Sequence, residues 1–225
     1  MATKILLISG KAQSGKDTAA DCITARSHLK HNEKRGKTLV TTSYIPCKSK
    51  KFSFADPLKE FCINVFGLSH QQCYGTNEDK NTPTNIMWGH LPLPTDKILS
   101  LISCPDHLSA FMTAREVLEV FGSQICRKMY RDCWAYATKK RATEAKCDLA
   151  VIADVRFPNE IDLFLELDPI VVRFTRNLLN RQTESELALD RYDWSKVKNF
   201  ILIDNVNMTV DEKNKKVLEA IVQYL

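Results

Sequence analysis

The sequence predicts an α/β fold in three layers, a central and mainly parallel sheet flanked by helices. Three observations lead there. Short continuous apolar runs recur at Ile5–Ile8 and Leu149–Ala153, as in strands buried on both faces rather than half-exposed ones. Segments of helical periodicity separate them, and strands that alternate with helices build parallel sheets. The chain has 225 residues, 44% of them apolar, enough to bury one sizeable core.

Taken in order, the first strand is followed by helical sequence from about Lys16 to Leu29. A basic connection from Lys30 to Lys51 has room for a short strand at Leu39–Tyr44, and Lys51–Phe54 reads as the next strand. Asp56 is placed to cap a helix with Pro57 at its first position. That helix carries Leu58, Phe61, Cys62, Val65 and Phe66 on one face and stops at Gly67. Gly75 to Pro94 is polar and rich in turn residues, and reads as a surface insertion or lid-like loop. Thr113 and Glu116 have capping-box spacing for a helix to Phe121, and a second helix is expected from Ser123 to Ala145. After the strand closed by Asp154 come a helix over Pro158–Leu167, strand Ile170–Phe174, an Arg-rich stretch, strand Phe200–Ile203 and an amphipathic helix from Asp211.

Composition excludes several classes. Net charge is +5, but Arg26 to Lys51 holds eight Lys/Arg against the single acid Glu33, a local +7, so the remainder sums to +5 − 7 = −2. A general polyanion binder is basic over a broader surface. The eight cysteines contain no CxxC pair, which argues against a zinc site. The apolar run before Gly10 is too short for a signal peptide, and no segment approaches the roughly 20 apolar residues of a membrane span. The expectation is a cytoplasmic protein with reduced thiols, most of them small buried hydrophobes.

Gly10-Lys11-Ala12-Gln13-Ser14-Gly15-Lys16-Asp17-Thr18 fits G-x-x-x-x-G-K between an apolar strand and a helix. Glycines let the backbone curl so that N–H groups face a polyphosphate. The following helix adds the positive end of its dipole, and Lys16 is placed for the β- and γ-phosphates. The motif predicts nucleoside triphosphate binding. Asp17 stands where a hydroxyl usually coordinates Mg²⁺, so either Asp17 or Thr18 is open to that role. Asp154, at the end of an apolar strand, is a second candidate for Mg²⁺ or the attacking oxygen. Arg156, Arg173, Arg176 and Arg181 form a basic series suited to the charge of a phosphoryl transfer.

These blocks together resemble the deoxynucleoside monophosphate kinases of tailed bacteriophages, a branch of the P-loop nucleotide kinases. The resemblance rests on the loop Ser14–Thr18, on Phe54-Ala55-Asp56-Pro57-Leu58-Lys59-Glu60, and on Thr113-Ala114-Arg115-Glu116-Val117-Leu118 leading to Phe121-Gly122, Arg127 and Trp134. It continues through Asp154-Val155-Arg156-Phe157-Pro158-Asn159-Glu160, Thr183-Glu184-Ser185-Glu186 and Ile203-Asp204-Asn205. It implies a three-layer P-loop kinase fold in a single domain, 1–225, with a helical insertion at about 69–112 and a closing lid at about 175–190. It also implies that Gly10, Lys11, Ser14, Gly15, Lys16, Asp17 and Thr18 hold ATP and Mg²⁺. Asp56, Lys59, Arg115, Arg127 and Glu184 would serve the monophosphate acceptor. Lys16, Asp154, Arg156, Arg176 and Arg181 would act in the transfer, with Asp17, Thr18 and Asp154 about the metal.

The implied reaction is transfer of the γ-phosphoryl of ATP to a (deoxy)nucleoside 5′-monophosphate. The expected partners are small nucleotides, with no nucleic acid, no membrane and a homodimer left open. Two alternatives stand beside it. Phosphomevalonate kinases of the animal type share the SGKD loop, an Asp-x-Arg after a strand and a Glu-Ser-Glu such as Glu184-Ser185-Glu186. A nucleotide-dependent, DNA-associated P-loop protein would use the basic window, although only Tyr44 there could stack on a base.

Overall fold

The computed structural model describes residues 3–26, 47–102, 108–179, 183 and 187–225. Its seven strands among these are β1 Lys4–Ser9, β2 Ser49–Phe52, β3 Pro83–Met87, β4 Phe111–Thr113, β5 Leu149–Val155, β6 Ile170–Phe174 and β7 Asn199–Ile203. The chain folds into two compact units, one made of residues 1–54 and 135–225, the other of residues 55–134.

The first unit is built on a parallel five-stranded sheet in the order β2-β5-β1-β6-β7. Residues 5–9 of β1 are all buried, because successive side chains point to opposite covered faces. Leu6 and Ile8 pack with Ala19, Ala20 and Ile23 of the helix α1, Lys16–Arg26, and with Val217, Leu218 and Ile221 of the helix Val210–Ile221. Ile5 and Leu7 pack on the other side with Phe52, Phe54, Ala135, Ala142, Ile161 and Phe164. Two helical layers therefore cover one sheet, the α/β three-layer architecture expected of P-loop kinases. β1 lies between β5 and β6, so chain connections part to either side at its carboxyl end. Sheets of this kind hold ligands at such a point.

The second unit has its own core, centred on Cys62, Cys73, Trp88, Ile98, Met112 and Val117. Its helix Asp56–Phe66 takes Ala55 as N-cap, so Asp56 is the first helical residue rather than the cap. Gly67 ends that helix as expected, with φ 72°. Of the proposed apolar face only Cys62 is fully buried, and Phe61 instead stacks on Phe121. Thr113 and Glu116 form the expected capping box.

Three expectations about local structure are corrected. The stretch Gly75–Pro94 is not a loop: it holds a helical turn at Asn77–Lys80, strand β3 paired antiparallel with β4, and a buried Trp88. Its polar residues close structure rather than solvate it, since the Thr76 amide donates to Asp79 Oδ2 at 2.8 Å in a second capping box. The helix expected over Ser123–Ala145 is broken. Val120–Cys126 is π-helical, Tyr130 is extended, and helix resumes at Cys133–Glu144. In the wide turn the Gly122 carbonyl accepts from both the Arg127 amide and the indole of Trp134, the latter at 3.1 Å. The helix expected over Pro158–Leu167 is a short α-helix, Pro158–Asp162, followed by a 3-10 turn at Leu165–Leu167. The possible strand at Leu39–Tyr44 lies outside the described residues.

No helix among the described residues is long and apolar enough to cross a membrane. The described cysteines are all free thiols, and Cys62, Cys73 and Cys147 are buried. Burial, reinforced by Cys73 and Cys126 nearby, pushes the Cys62 thiol up to about 12, so it stays protonated where a free thiol would ionise. At pH 8.5 iodoacetamide should therefore label Cys62 at least ~100-fold more slowly in the folded chain than in urea. Peptide mass spectrometry reads the two rates, and equal rates would contradict a closed core here.

Candidate active site

The segment after β1 cannot be extended backbone. Gly10 has φ 154°, Gly15 φ 90° and Gln13 φ 58°, and φ values in this range favour glycine. A Cβ on Gly10 would meet Ser14 Oγ at 2.6 Å, and one on Gly15 would meet Lys213 Nζ at 2.8 Å. The loop closes through the Ser14 amide, which donates to the Lys11 carbonyl at 3.2 Å, and Ala19 then donates to Gly15 as α1 begins. The outcome is a tight cradle at the N-terminus of an eleven-residue helix.

The carbonyl oxygens of this cradle are held by named donors. Lys16 is 7% exposed, and its Nζ donates to the Gly10 and Lys11 carbonyls, each at 2.7 Å. Asn205 is fully buried, and its Nδ2 donates to the Ser14 carbonyl at 2.8 Å. Lys213 Nζ donates to the Gly15 carbonyl at 2.6 Å and to Thr18 Oγ1 at 2.5 Å. A trans peptide directs its N–H opposite its carbonyl, and no peptide here is cis. Holding the Ser14 and Gly15 carbonyls therefore turns the Gly15 and Lys16 amides away from those donors, as an anion cradle needs.

The side chains fit a triphosphate with its ion. Ser14 Oγ is buried and has no hydrogen-bond partner among the described residues, an orphan that a phosphate oxygen would satisfy. Asp17 is exposed and pairs with Lys51 at 3.2 Å, while Lys51 also reaches Asp21 at 2.9 Å. The Thr18 hydroxyl is committed twice, donating to the Gly15 carbonyl at 2.9 Å and accepting from Lys213. No group of three or more His, Cys, Asp or Glu among the described residues could hold a metal unaided. Mg²⁺ takes few carboxylates and fills the rest of its octahedron with phosphate oxygens and water.

Asp154 lies at the carboxyl edge of β5, beside the end of β1, where Ser9 pairs with Val155. Its Oδ2 accepts from Ser53 Oγ at 2.6 Å and its Oδ1 from the Phe54 amide at 3.0 Å. These bonds orient the carboxylate at the sheet edge. The Arg156 side chain is exposed, and its amide donates to buried Glu160 at 2.8 Å. Arg176 is anchored through its amide to Asn205 Oδ1 at 3.0 Å and through Nη2 to the Val206 and Met208 carbonyls. Arg173 shares Asp190 with Lys11, at 2.9 and 2.7 Å, and lies over the Trp194 ring.

Asp56, Lys59, Arg115 and Arg127 all belong to the second unit. Arg115 donates to Asn81 Oδ1 at 3.0 Å and Asn77 Oδ1 at 2.9 Å, partners that come from the stretch no motif had assigned. Lys59 Nζ sits over the Tyr74 ring. Arg181 and Glu184 lie outside the described residues.

Sequence reasoning missed Lys213 as a site residue, and Asn205 carried no role despite its place in a quoted block. Lys213 had left a signal, because it precedes Val217 by four residues and so falls on the apolar stripe of its helix. Asn205→Ala should strip two backbone groups, the buried Ser14 C=O and the half-buried Arg176 N–H, of a partner. The expected loss is about 1–3 kcal/mol for each in urea unfolding, with weaker triphosphate binding. Unchanged stability would show that neither bond matters.

No family model matches the chain. It is 29% identical over 171 residues to a protein of Acanthamoeba polyphaga mimivirus described as a candidate deoxynucleotide monophosphate kinase, covering 75% of this chain and 81% of that protein. It is 26% identical over 203 residues to the deoxynucleoside-5′-monophosphate kinase of Escherichia phage T5, covering 73% of this chain and 75% of the relative. With its glycine cradle on a parallel sheet, the chain is a homologue of these two viral proteins, both named for deoxynucleotide monophosphate kinase activity.

Proposed function

We propose that the chain is an ATP-dependent kinase that converts a (deoxy)nucleoside 5′-monophosphate to the diphosphate. The cradle from Gly10 to Thr18, with Lys16 buried at its mouth, is the observation that carries this reading. An ionised oxygen of the acceptor phosphate attacks the γ-phosphorus in line. The bond from that phosphorus to the β,γ-bridging oxygen breaks, and its electron pair leaves on ADP. The attacking oxygen is already charged at neutral pH, so no strong base is required and catalysis is positioning and charge.

Lys16 is poised for this, since its bonds to the Gly10 and Lys11 carbonyls can be exchanged for β- and γ-phosphate oxygens. Mg²⁺ bound with the triphosphate neutralises charge between those phosphates. Asp17 and Asp154 are the carboxylates we assign to it. Thr18 is the weaker candidate, because its hydroxyl proton and an acceptor position are already engaged. Arg156, exposed at the same sheet edge, is assigned to the transferring group. Arg176 supports the donor side, bridging Asn205 and the 206–208 backbone. Asp56, Lys59, Arg115 and Arg127 are assigned to the acceptor. The phosphomevalonate alternative is not favoured, since both relatives are named for deoxynucleotides.

Lys16→Ala should lower turnover at least ~100-fold with the far-ultraviolet circular dichroism unchanged. ADP release should depend on an added acceptor in a panel of the four deoxynucleoside monophosphates, the ribonucleotides and phosphomevalonate. Near-normal turnover in the variant would overturn the loop assignment, and phosphomevalonate as the sole acceptor would overturn the substrate class.

A further inference from the structure

We infer that Lys213 is a second cation of the donor polyphosphate site, an inference that rests on the proposed use of ATP. Lys213 lies in the helix Val210–Ile221 and is 2% exposed. Among the described residues its ammonium has only neutral neighbours within bonding reach, the Gly15 carbonyl and the Thr18 hydroxyl, with the Phe174 ring at 5.5 Å. Among the described residues no carboxylate pairs with it. A buried cation in that position is costly unless an anion offsets it.

The hydrogen bonds it makes do not account for its presence. The Gly15 carbonyl already accepts from the Ala19 amide at 3.1 Å and from Thr18 Oγ1 at 2.9 Å. Replacing the ammonium by a thioether would therefore leave no carbonyl orphaned. Lysine carries three donors, and two are used here, on the side of the loop that its carbonyls face. Burial holds the Lys213 ammonium below its usual range, with the Cys22 thiol opposing that shift and the Arg176 cation adding to it. A phosphate of the donor, seated on the amides at the start of α1, supplies the missing negative charge. Lys213 then holds Gly15 and Thr18 in place with two N–H groups from behind the loop, and its charge acts on the phosphate across the intervening peptide.

The test is calorimetric titration of the full-length chain with ATP and with inorganic tripolyphosphate, both in EDTA. The proteins are the wild type, Lys213→Met and Lys213→Arg, and unliganded melting temperatures are recorded in parallel. The wild type should bind both ligands. Lys213→Met should weaken both at least ~10-fold while melting within a few degrees of the wild type, and Lys213→Arg should recover most of the affinity. If Lys213→Met binds tripolyphosphate as tightly as the wild type, the inference fails and the ATP reading stands. If the wild type binds no ATP, the functional reading itself fails. A large drop in melting temperature for Lys213→Met, with no recovery of affinity in Lys213→Arg, would assign the lysine to the fold alone and overturn the inference.

Discussion

Everything at this site depends on where the loop carbonyls point. A glycine-rich turn can curl in many ways, and only those that gather N–H groups on one side make an anion cradle. Here Lys16 takes the carbonyls of Gly10 and Lys11, Asn205 takes that of Ser14, and Lys213 takes that of Gly15. Two of the three anchors come from the end of the chain, some 190 residues away in sequence. The cradle is therefore a tertiary structure, set by β1 and its neighbours, and not a property of the nine-residue motif alone.

The sheet makes that anchoring possible. Because β1 is covered on both faces, its carboxyl end cannot shift without disturbing two cores at once. The ends of β5, β6 and β7 are held at the same edge by parallel pairing, so Asp154, Arg176 and Asn205 arrive there without any local sequence relation. Rigid strands deliver the functional groups, and charge-bearing side chains then orient one another. Catalysis by positioning needs this kind of preparation, since the reorganisation is completed before the substrate arrives.

The parallel strands were legible because full burial leaves an uninterrupted apolar run, as at Leu149–Ala153, which lies within β5. The glycine loop was legible because its backbone needs are strict. Between residues 69 and 145 the reading was poorer, for two physical reasons. Polar capping residues such as Thr76 and Asp79 look like loop in composition while closing a helical turn. A π-helical turn keeps near-helical periodicity, so the break at Tyr130–Asp132 was hidden in the apolar pattern. Lys213 was overlooked because a lysine on a terminal amphipathic helix ordinarily belongs to the solvated face, and only its phase against Val217 marked it as inward.

The central claim is that the Ser14 and Gly15 carbonyls are fixed before any nucleotide binds. Backbone resonance assignment of the ¹³C,¹⁵N-labelled chain, with and without ATP, tests it directly. The amide signals of Gly15 and Lys16 should move on binding, while the carbonyl-carbon signals of Ser14 and Gly15 stay near their unliganded positions. Carbonyl shifts as large as those of the amides would mean that the ligand builds the cradle, and would contradict this account.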